Sequence, residues 1–321
     1  MVDGVDKFLR RYPESPVVED VLGTLDADAI RARVRDLDPE VTEIFYFAAS
    51  VGAVFGVRRR DGTRVAMKVH KLFTDEEYFD VLQRVQAVLA DAGFPAPRPL
   101  GRRGLVTWEE WRDVGAFCNA HEPEVRRAMA RALVRFHALA TATGLRPRRP
   151  FLPFADDGLW PVPHNALFDF AATREGAEWI DEIARVAKSR SRDTEIGAEM
   201  VGHTDWSAKH LRFDERLEPT ALYDWDSVTT DREPNLVGTA AGSFTYTEEL
   251  DEEIDVWPST EESRAFIADY EFARGVPFGG EEREAAQAAC VYLRAYAARC
   301  HHAYGRDARE TGLEALADAL L

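Results

Sequence analysis

The chain has 321 residues, which is enough for about two domains with a sizeable core. Its 40 Lys and Arg residues against 57 Asp and Glu residues give a net charge of -17, which argues against nucleic acid and anionic membranes as partners. The sequence contains no apolar run of membrane-spanning length and no signal-peptide pattern at its start, and its three cysteines lack C-x-x-C spacing. We therefore expect a cytoplasmic protein with neither a cysteine zinc site nor a disulfide framework.

The first third of the chain predicts helices followed by strands. Residues 1–40 are helical in character, and Pro39 ends that pattern. The apolar residues then alternate with polar ones, and Asp61-Gly62 is a strong hairpin signal. Three strands are predicted, at 41–50, 52–60 and 63–70.

The rest of the chain predicts mainly helices. Thr74 and Glu77 have the spacing of a capping box and would begin the first of them. A short strand is expected at 104–108. The predicted helices are 75–92, 122–141, 175–189, 281–304 and 308–321.

Residues 201–226 carry most of the chemical information in the sequence. A polar loop precedes a predicted hairpin, and acidic residues follow directly after it. A hairpin brings both sets of polar groups to one edge, which suits a magnesium and nucleotide site because Mg²⁺ takes oxygen ligands from carboxylates and phosphates. The polar groups are His203, Asp205, His210, Asp224 and Asp226.

This order of motifs resembles the aminoglycoside phosphotransferase and choline kinase-like family, the small-molecule branch of the protein-kinase-like fold. The likeness extends over about residues 41–240. It implies an α+β, two-lobe fold with a small antiparallel sheet lobe and a larger, mostly helical lobe. The motifs that carry it are Val65-Ala66-Met67-Lys68, His203-Thr204-Asp205 and Tyr223-Asp224-Trp225.

The resemblance also implies where the lobes divide. The nucleotide-binding lobe would be residues 1–112, with 1–40 as a helical extension. It would hold a five-stranded sheet and one helix. Residues 113–321 would form the catalytic and substrate-binding lobe.

The same resemblance implies catalytic and metal-binding roles. Asp205 would accept the proton of a substrate hydroxyl, and Asp224 would hold Mg²⁺ against the nucleotide phosphates. Asp226 or His210 would complete the metal shell. The family has Asn at the position of His210, and imidazole suits metals other than magnesium. Three readings stay open, in which His210 contacts the metal through water, Asp226 compensates for a lost second metal site, or the enzyme is impaired.

Four further residues are implied in nucleotide binding. Lys68 would grip the α/β-phosphates of ATP or GTP, and Ala66 would lie under the base. Gly52 would lie in the turn over the phosphates, and Glu110 would belong to the hinge. The family spacing for an acid that pairs with the lysine arrives near Gln83, so that partner is left unassigned.

These assignments predict an ATP-dependent phosphotransferase acting on a hydroxyl of a small molecule. A cationic antibiotic such as an aminoglycoside, and with it antibiotic resistance, is one candidate. Eight acids in residues 248–262 either line a pocket for a polycation or form a solvated face. The alternatives are a nucleotide-binding pseudokinase that acts through partner binding and, more weakly, a metallohydrolase.

Overall fold

Three short helices precede the sheet in the computed structural model, which describes residues 3–71, 75–148, 158–165, 167–192, 194–250 and 254–321. Each of these helices begins at a side chain that accepts a hydrogen bond from a backbone N–H of its first turn, and the residues are Asp3, Ser15 and Asp26. Such caps satisfy amide groups that a helix cannot satisfy internally. The helices are α1 (Gly4–Arg11), α2 (Pro16–Leu22) and α3 (Ala27–Leu37).

An antiparallel five-stranded sheet follows, in the spatial order β1-β2-β3-β5-β4. The three predicted strands are confirmed within a few residues, and the turn between the second and third places Gly62 at φ 87°. The apolar face of the sheet packs against α1, α2 and α3. The strands are β1 (Val41–Ala49), β2 (Ala53–Arg59), β3 (Arg64–Val69), β4 (Pro99–Arg103) and β5 (Val106–Glu110).

Helix α4 (Glu76–Asp91) joins the sheet to the core of the helical part. Asp75 caps it by accepting hydrogen bonds from the amides of Glu77 and Tyr78, while the predicted cap Thr74 lies outside the described residues. The buried face of α4 belongs to the same hydrophobic cluster as the helices that follow residue 122. The lobe boundary near residue 112 stays a prediction.

The remainder is mostly helical, as predicted. Helix α7 lies at its centre, since all eleven of its residues are buried. The helices are α5 (Pro123–Ala142), α6 (Glu178–Ser191), α7 (Glu233–Ser243), α8 (Thr260–Arg274), α9 (Gly280–Ala303) and α10 (Leu313–Leu320). Two small antiparallel pairs accompany them, β6 (Glu199–His203) with β9 (Val228–Arg232), and β7 (Leu211–Phe213) with β8 (Pro219–Leu222). No helix within the described ranges combines the length and the apolar character needed to cross a membrane.

A buried hydrogen-bond chain links α5, α8 and α7. The Tyr270 hydroxyl donates to Glu233 at 2.7 Å, and Arg274 donates to the other oxygen of the same carboxylate at 2.6 Å. His137 Nδ1 lies 2.9 Å from the Tyr270 oxygen. Because that hydroxyl already donates its hydrogen, His137 must donate from Nδ1, and burial lowers its pKa to about 3. His137 is therefore neutral in the folded protein.

We expect Gly238→Ala to destabilise the protein by about 1–3 kcal/mol or more, because α7 and α9 touch through their backbones there. A Cβ at position 238 would lie 2.0 Å from the carbonyl oxygen of Ala286. Gly280→Ala is the matched control, since a Cβ at that helix position meets nothing within 4 Å. The measurement is urea unfolding followed by circular dichroism. Equal midpoints for the two variants would contradict this account of the α7–α9 contact.

The buried histidine predicts an acid-sensitive stability. The unfolded chain binds a proton at His137 below about pH 6.5, whereas the folded chain does not, so the free energy of unfolding falls as pH falls from 7 to 5. This residue contributes up to ~1.4 kcal/mol per pH unit to that slope. In His137→Asn the slope should be smaller by about this amount. The measurement is urea unfolding at each pH, and an unchanged slope would refute the assignment.

Candidate functional site

The loop that precedes the β7–β8 hairpin and the turn that follows it meet beside the β6–β9 pair. The hairpin predicted between the two polar segments is confirmed, with strand pairs from Leu211 opposite Leu222 onward. The amide of Thr204 donates to the carbonyl of Ser227 at 2.9 Å, which joins the two segments directly. The side chains that the sequence separates by about 20 residues are therefore neighbours.

His203 ties the loop to the end of β8. Its Nε2 lies 3.0 Å from the carbonyl oxygen of Tyr223, and its Nδ1 accepts a hydrogen bond from the amide of Asp205 at 3.2 Å. Nδ1 is thus the unprotonated nitrogen, and Nε2 is the donor. The side chain is fully buried, and burial together with the neighbouring His210 lowers its pKa to about 4. His203 therefore acts as a neutral brace between the loop and the residue before Asp224.

The backbone of Asp224 is in the left-handed region, at φ 57° and ψ 48°. In the described part of the chain, only Leu217 shares a positive φ among residues other than glycine. Aspartate tolerates this conformation better than most residues because its short side chain can hydrogen-bond locally. The Ser227 hydroxyl donates to its Oδ2 at 2.6 Å. Such a conformation at a cleft residue is typical of a functional position.

Asp205, His210 and Asp224 form a compact group that fits a divalent cation. One ligand atom from each lies within 4.8 Å of the others. His210 Nε2 is 3.0 Å from Asp205 Oδ2 and 3.9 Å from Asp224 Oδ2. Burial alone would raise the pKa of Asp205, but the nearby His210 and Lys209 hold it well below its usual range. Asp205 is therefore an ionised carboxylate at neutral pH.

The hydrogen bond at Asp205 fixes the proton on His210. Because an ionised carboxylate can only accept, His210 must donate from Nε2. A nitrogen that carries a proton cannot bind a metal ion at the same time. This arrangement favours the reading in which His210 reaches a cation only through water.

Asp226 contacts Asp224 of this group through its side chain and also reaches the sheet. Its carboxylate lies 3.5 Å from His70 Nδ1, and its backbone carbonyl accepts a hydrogen bond from Tyr78 at 2.9 Å. Burial would raise the pKa of Asp226, but His70 and Lys68 lower it well below its usual range. Of the three residues expected at the metal, Asp224 and His210 come together with Asp205, and Asp226 contacts both Asp224 and His70 at the end of β3. Their role at a metal stays a prediction.

Lys68 pairs with Glu109 of β5, a residue that the sequence interpretation missed. Lys68 Nζ is 3.0 Å from Glu109 Oε1, and both side chains are about nine-tenths buried. Gln86 of α4 donates to the other carboxylate oxygen at 2.9 Å. Burial alone would lower the pKa of Lys68, but Glu109 and the aspartates 224 and 226 raise it, so the lysine stays charged.

The family spacing places the acidic partner of Lys68 on helix α4, near Gln83. That side chain instead donates to the carbonyl of Gly101. Glu109 reaches the lysine because β3 and β5 pair with Ala66 opposite Glu109 and with Lys68 opposite Thr107. Glu109 lies two residues after Thr107, so its side chain is on the same face of the sheet as Lys68. The register that pairs Lys68 with Thr107 cannot be predicted from one sequence.

The other residues expected at the nucleotide lie along the same sheet. Gly52 is in the turn between β1 and β2, where a Cβ would lie 2.6 Å from the Val69 carbonyl oxygen, so only glycine allows this approach. Ala66 is 7% exposed on β3. Glu110 ends β5 with an exposed side chain, so any contact with a base would come from its backbone.

A cavity of about 410 Å³ opens beside the group of Asp205, His210 and Asp224. Asp205 and Asp224 line one side of it, Val51 of the β1–β2 turn another, and helix α9 a third. The cavity thus adjoins both the carboxylates and the turn of the sheet.

Comparison with known proteins identifies the fold. No family model matches the sequence, and no curated protein matches it. The amicoumacin kinase hAmiN, solved with AMP-PNP, Ca²⁺ and Ami, is similar with a TM-score of 0.62 and 12% identity, over 92% of this chain and 93% of that chain. A choline/ethanolamine kinase family protein from Mesorhizobium loti has a TM-score of 0.57 and 14% identity, over 91% of this chain and 94% of that chain. An aminoglycoside phosphotransferase from Alicyclobacillus acidocaldarius has a TM-score of 0.50 and 13% identity, over 90% of this chain and 92% of that chain.

At these identities the likeness is one of fold. The chain has the two-lobe, protein-kinase-like fold that small-molecule kinases share, and the predicted fold class is confirmed.

The Lys68–Glu109 pair should appear as a coupling energy of about 1–3 kcal/mol in a double-mutant cycle. The reason is that either single change leaves one buried charge without its partner, whereas removing both does not. The variants are Lys68→Met, Glu109→Gln and the double variant, compared by urea unfolding. Glu110→Gln, next in sequence and exposed, serves as the control and should leave stability nearly unchanged. Strict additivity of the two buried changes would show that the pair does not interact.

Proposed function

We propose that this chain transfers the γ-phosphoryl group of ATP or GTP to a hydroxyl of a small molecule. The observation that carries the proposal is the group of Asp205, His210 and Asp224 at one side of a cavity large enough for a small molecule. The buried Lys68 ion pair on the facing sheet supports it. The neighbour hAmiN was solved with an ATP analogue, a divalent cation and a small molecule, which agrees with this assignment.

In the proposed reaction Asp205 is the base. His210 donates to its Oδ2, which leaves Oδ1 to take the proton of the acceptor hydroxyl. Only the Ser207 hydroxyl contacts that oxygen among the described residues, at a long 3.3 Å. The acceptor oxygen then bonds to the γ-phosphorus as the bond to the bridging oxygen breaks, and ADP or GDP leaves.

The remaining residues position the nucleotide. Asp224 would hold Mg²⁺, which would neutralise charge on the phosphates, while Asp205 and His210 stand beside it. Lys68 would exchange part of its contact with Glu109 for the α/β-phosphates. Gly52 would allow the turn to approach the phosphates, and Ala66 and the Glu110 backbone would face the base. Catalysis would then come from positioning and charge neutralisation.

The structure weakens one argument for a pseudokinase. The missing helical acid near Gln83 was the sign of an incomplete lysine site, and Glu109 supplies that acid from the sheet. A metallohydrolase would give the buried Lys68–Glu109 ion pair no role in the reaction.

Substitution of Asp224 should impair nucleotide binding, whereas substitution of Asp205 should impair turnover. We expect Asp224→Ala to lose the metal-dependent part of nucleotide binding, because it removes the carboxylate that would hold the ion. Asp205→Asn should still bind metal and nucleotide but form ADP from ATP at least ~100-fold more slowly, because the base is gone. Calorimetric titration of ATP and GTP with Mg²⁺, Mn²⁺ or chelator gives the first result, and an assay of ADP formation gives the second.

Glu215→Gln is the control for both assays, because this exposed residue lies in the β7–β8 turn. It should match the wild type throughout. Absence of nucleotide binding by the wild type with either metal would eliminate phosphoryl transfer. Normal ADP formation by Asp205→Asn would eliminate the assigned base but not the nucleotide site.

A further inference from the structure

Five aromatic side chains contribute to the lining of the cavity beside Asp205. Tyr246 and Trp257 pack with their ring centroids 5.5 Å apart. The Tyr296 hydroxyl, also in the lining, lies 2.8 Å from His164 Nδ1. Aromatic rings provide large apolar contact area with few rotatable bonds, so they bind flat apolar groups at low entropic cost. The aromatic lining residues are Phe168, Tyr246, Trp257, Tyr296 and Tyr304.

The charged lining outside the catalytic pair is positive. Lys209 and Arg306 line the cavity. Burial alone would lower the pKa of Lys209, but Asp205, Asp224 and Glu248 lie near enough to raise it, so the lysine stays charged. Lys209 Nζ lies 4.9 Å from the Tyr246 ring centroid, and the Arg306 guanidinium lies 5.1 Å from the Tyr304 ring centroid. Both cations therefore stand at aromatic walls of the cavity. A positively charged ligand would meet like charge there.

The two acidic residues of the lining, Asp205 and Asp224, each have a role in the proposed function. Asp205 would meet the acceptor hydroxyl, and Asp224 would hold the metal. A polycationic acceptor needs further carboxylates to bind its amines, as buried charges require partners. No other described residue of the lining is acidic.

Among the described residues of the acid-rich segment 248–262, Glu248 comes near the cavity but lies beside Lys209. Glu248 is exposed, accepts a hydrogen bond from the Tyr246 hydroxyl at 3.4 Å and helps to raise the pKa of Lys209. Glu262 pairs with His121 at 2.7 Å, away from the cavity lining. Of the two readings of this segment, the described residues favour a solvated face. Three of its acids lie outside the described residues, namely Asp251, Glu252 and Glu253.

We infer that the acceptor is a hydroxylated aromatic molecule that carries no positive charge. This inference rests on the proposed phosphoryl transfer and specifies its substrate class. The aromatic ring of the acceptor would pack against the aromatic lining, and its hydroxyl would point to Asp205. Lys209 and Arg306 would tolerate neutral groups on the acceptor and attract anionic ones.

The test uses three matched p-nitrophenyl β-D-glycosides that differ in charge. The glucoside is neutral, the glucuronide is anionic and the 2-amino-2-deoxyglucoside is cationic. Chloramphenicol adds a second uncharged aromatic alcohol, and kanamycin adds a polycation. Dissociation constants are measured by calorimetry on the full chain with AMP-PNP and Mg²⁺, and again without them.

We expect an uncharged or anionic aromatic probe to bind at least ~10-fold more tightly than the amino glycoside and kanamycin. Kanamycin or the amino glycoside binding as tightly as the best neutral probe would overturn the inference. Failure of the glucoside, the glucuronide and chloramphenicol to bind would overturn it as well.

Variants test the two parts of the lining separately. Lys209→Met should weaken the glucuronide by about 10-fold, leave the glucoside nearly unchanged and strengthen the amino glycoside. Arg216→Met, an exposed cation in the β7–β8 turn, is the matched control and should change none of them. Tyr304→Ala should weaken all three glycosides by a similar factor. A Lys209 variant with an unaltered order of preference would overturn the charge argument.

Failure of this inference can be told from failure of the proposed function. Metal-dependent nucleotide binding together with a preference for kanamycin would keep phosphoryl transfer and reject the acceptor class. If the chain preferred the neutral probes but bound no nucleotide, the inferred ligand preference of the cavity would stand and phosphoryl transfer would be rejected.

Discussion

The site depends on one buried, neutral imidazole. His203 joins the amide of Asp205 to the carbonyl of Tyr223, and Tyr223 directly precedes Asp224. The two aspartates are thus held on one rigid unit although 18 residues of chain separate them. A neutral ring can both donate and accept, and protonation would abolish the acceptor that the Asp205 amide needs. Burial prevents this, because it lowers the pKa of His203 to about 4.

Around this brace, three carboxylates each have a nitrogen group beside them. Glu109 has the Lys68 ammonium, Asp226 has the His70 ring and Asp205 has the His210 ring. Several buried acids so close together would otherwise repel and take up protons. Asp224 is one-third exposed, and it accepts a hydrogen bond from the Ser227 hydroxyl rather than from a charged group. In the proposed function Asp224 would meet the metal ion, and the charged Lys68 would meet the phosphates.

The sequence was informative wherever a local pattern determines structure. Alternation from residue 41 to 70, the Asp61-Gly62 turn and the hairpin before Asp224 all appear as predicted. The missed features depend on long-range register. Glu109 reaches Lys68 only because β5 pairs with β3 at one particular offset, and the contact between Asp226 and His70 joins distant parts of the chain. Neither is encoded in residue spacing alone.

The acidic composition of the chain says little about its cavity. A net charge of -17 acts at long range and is screened by salt, with a Debye length of about 8–10 Å. Selectivity is decided at contact distance, where a lower dielectric strengthens each charge. There the lining has Lys209 and Arg306 beside aromatic rings, with Asp205 and Asp224 at the proposed reaction site. Glu248, Glu249 and Asp255 of the acid-rich segment are exposed to solvent. An acidic surface can therefore attract cations to the protein without making its pocket a cation site.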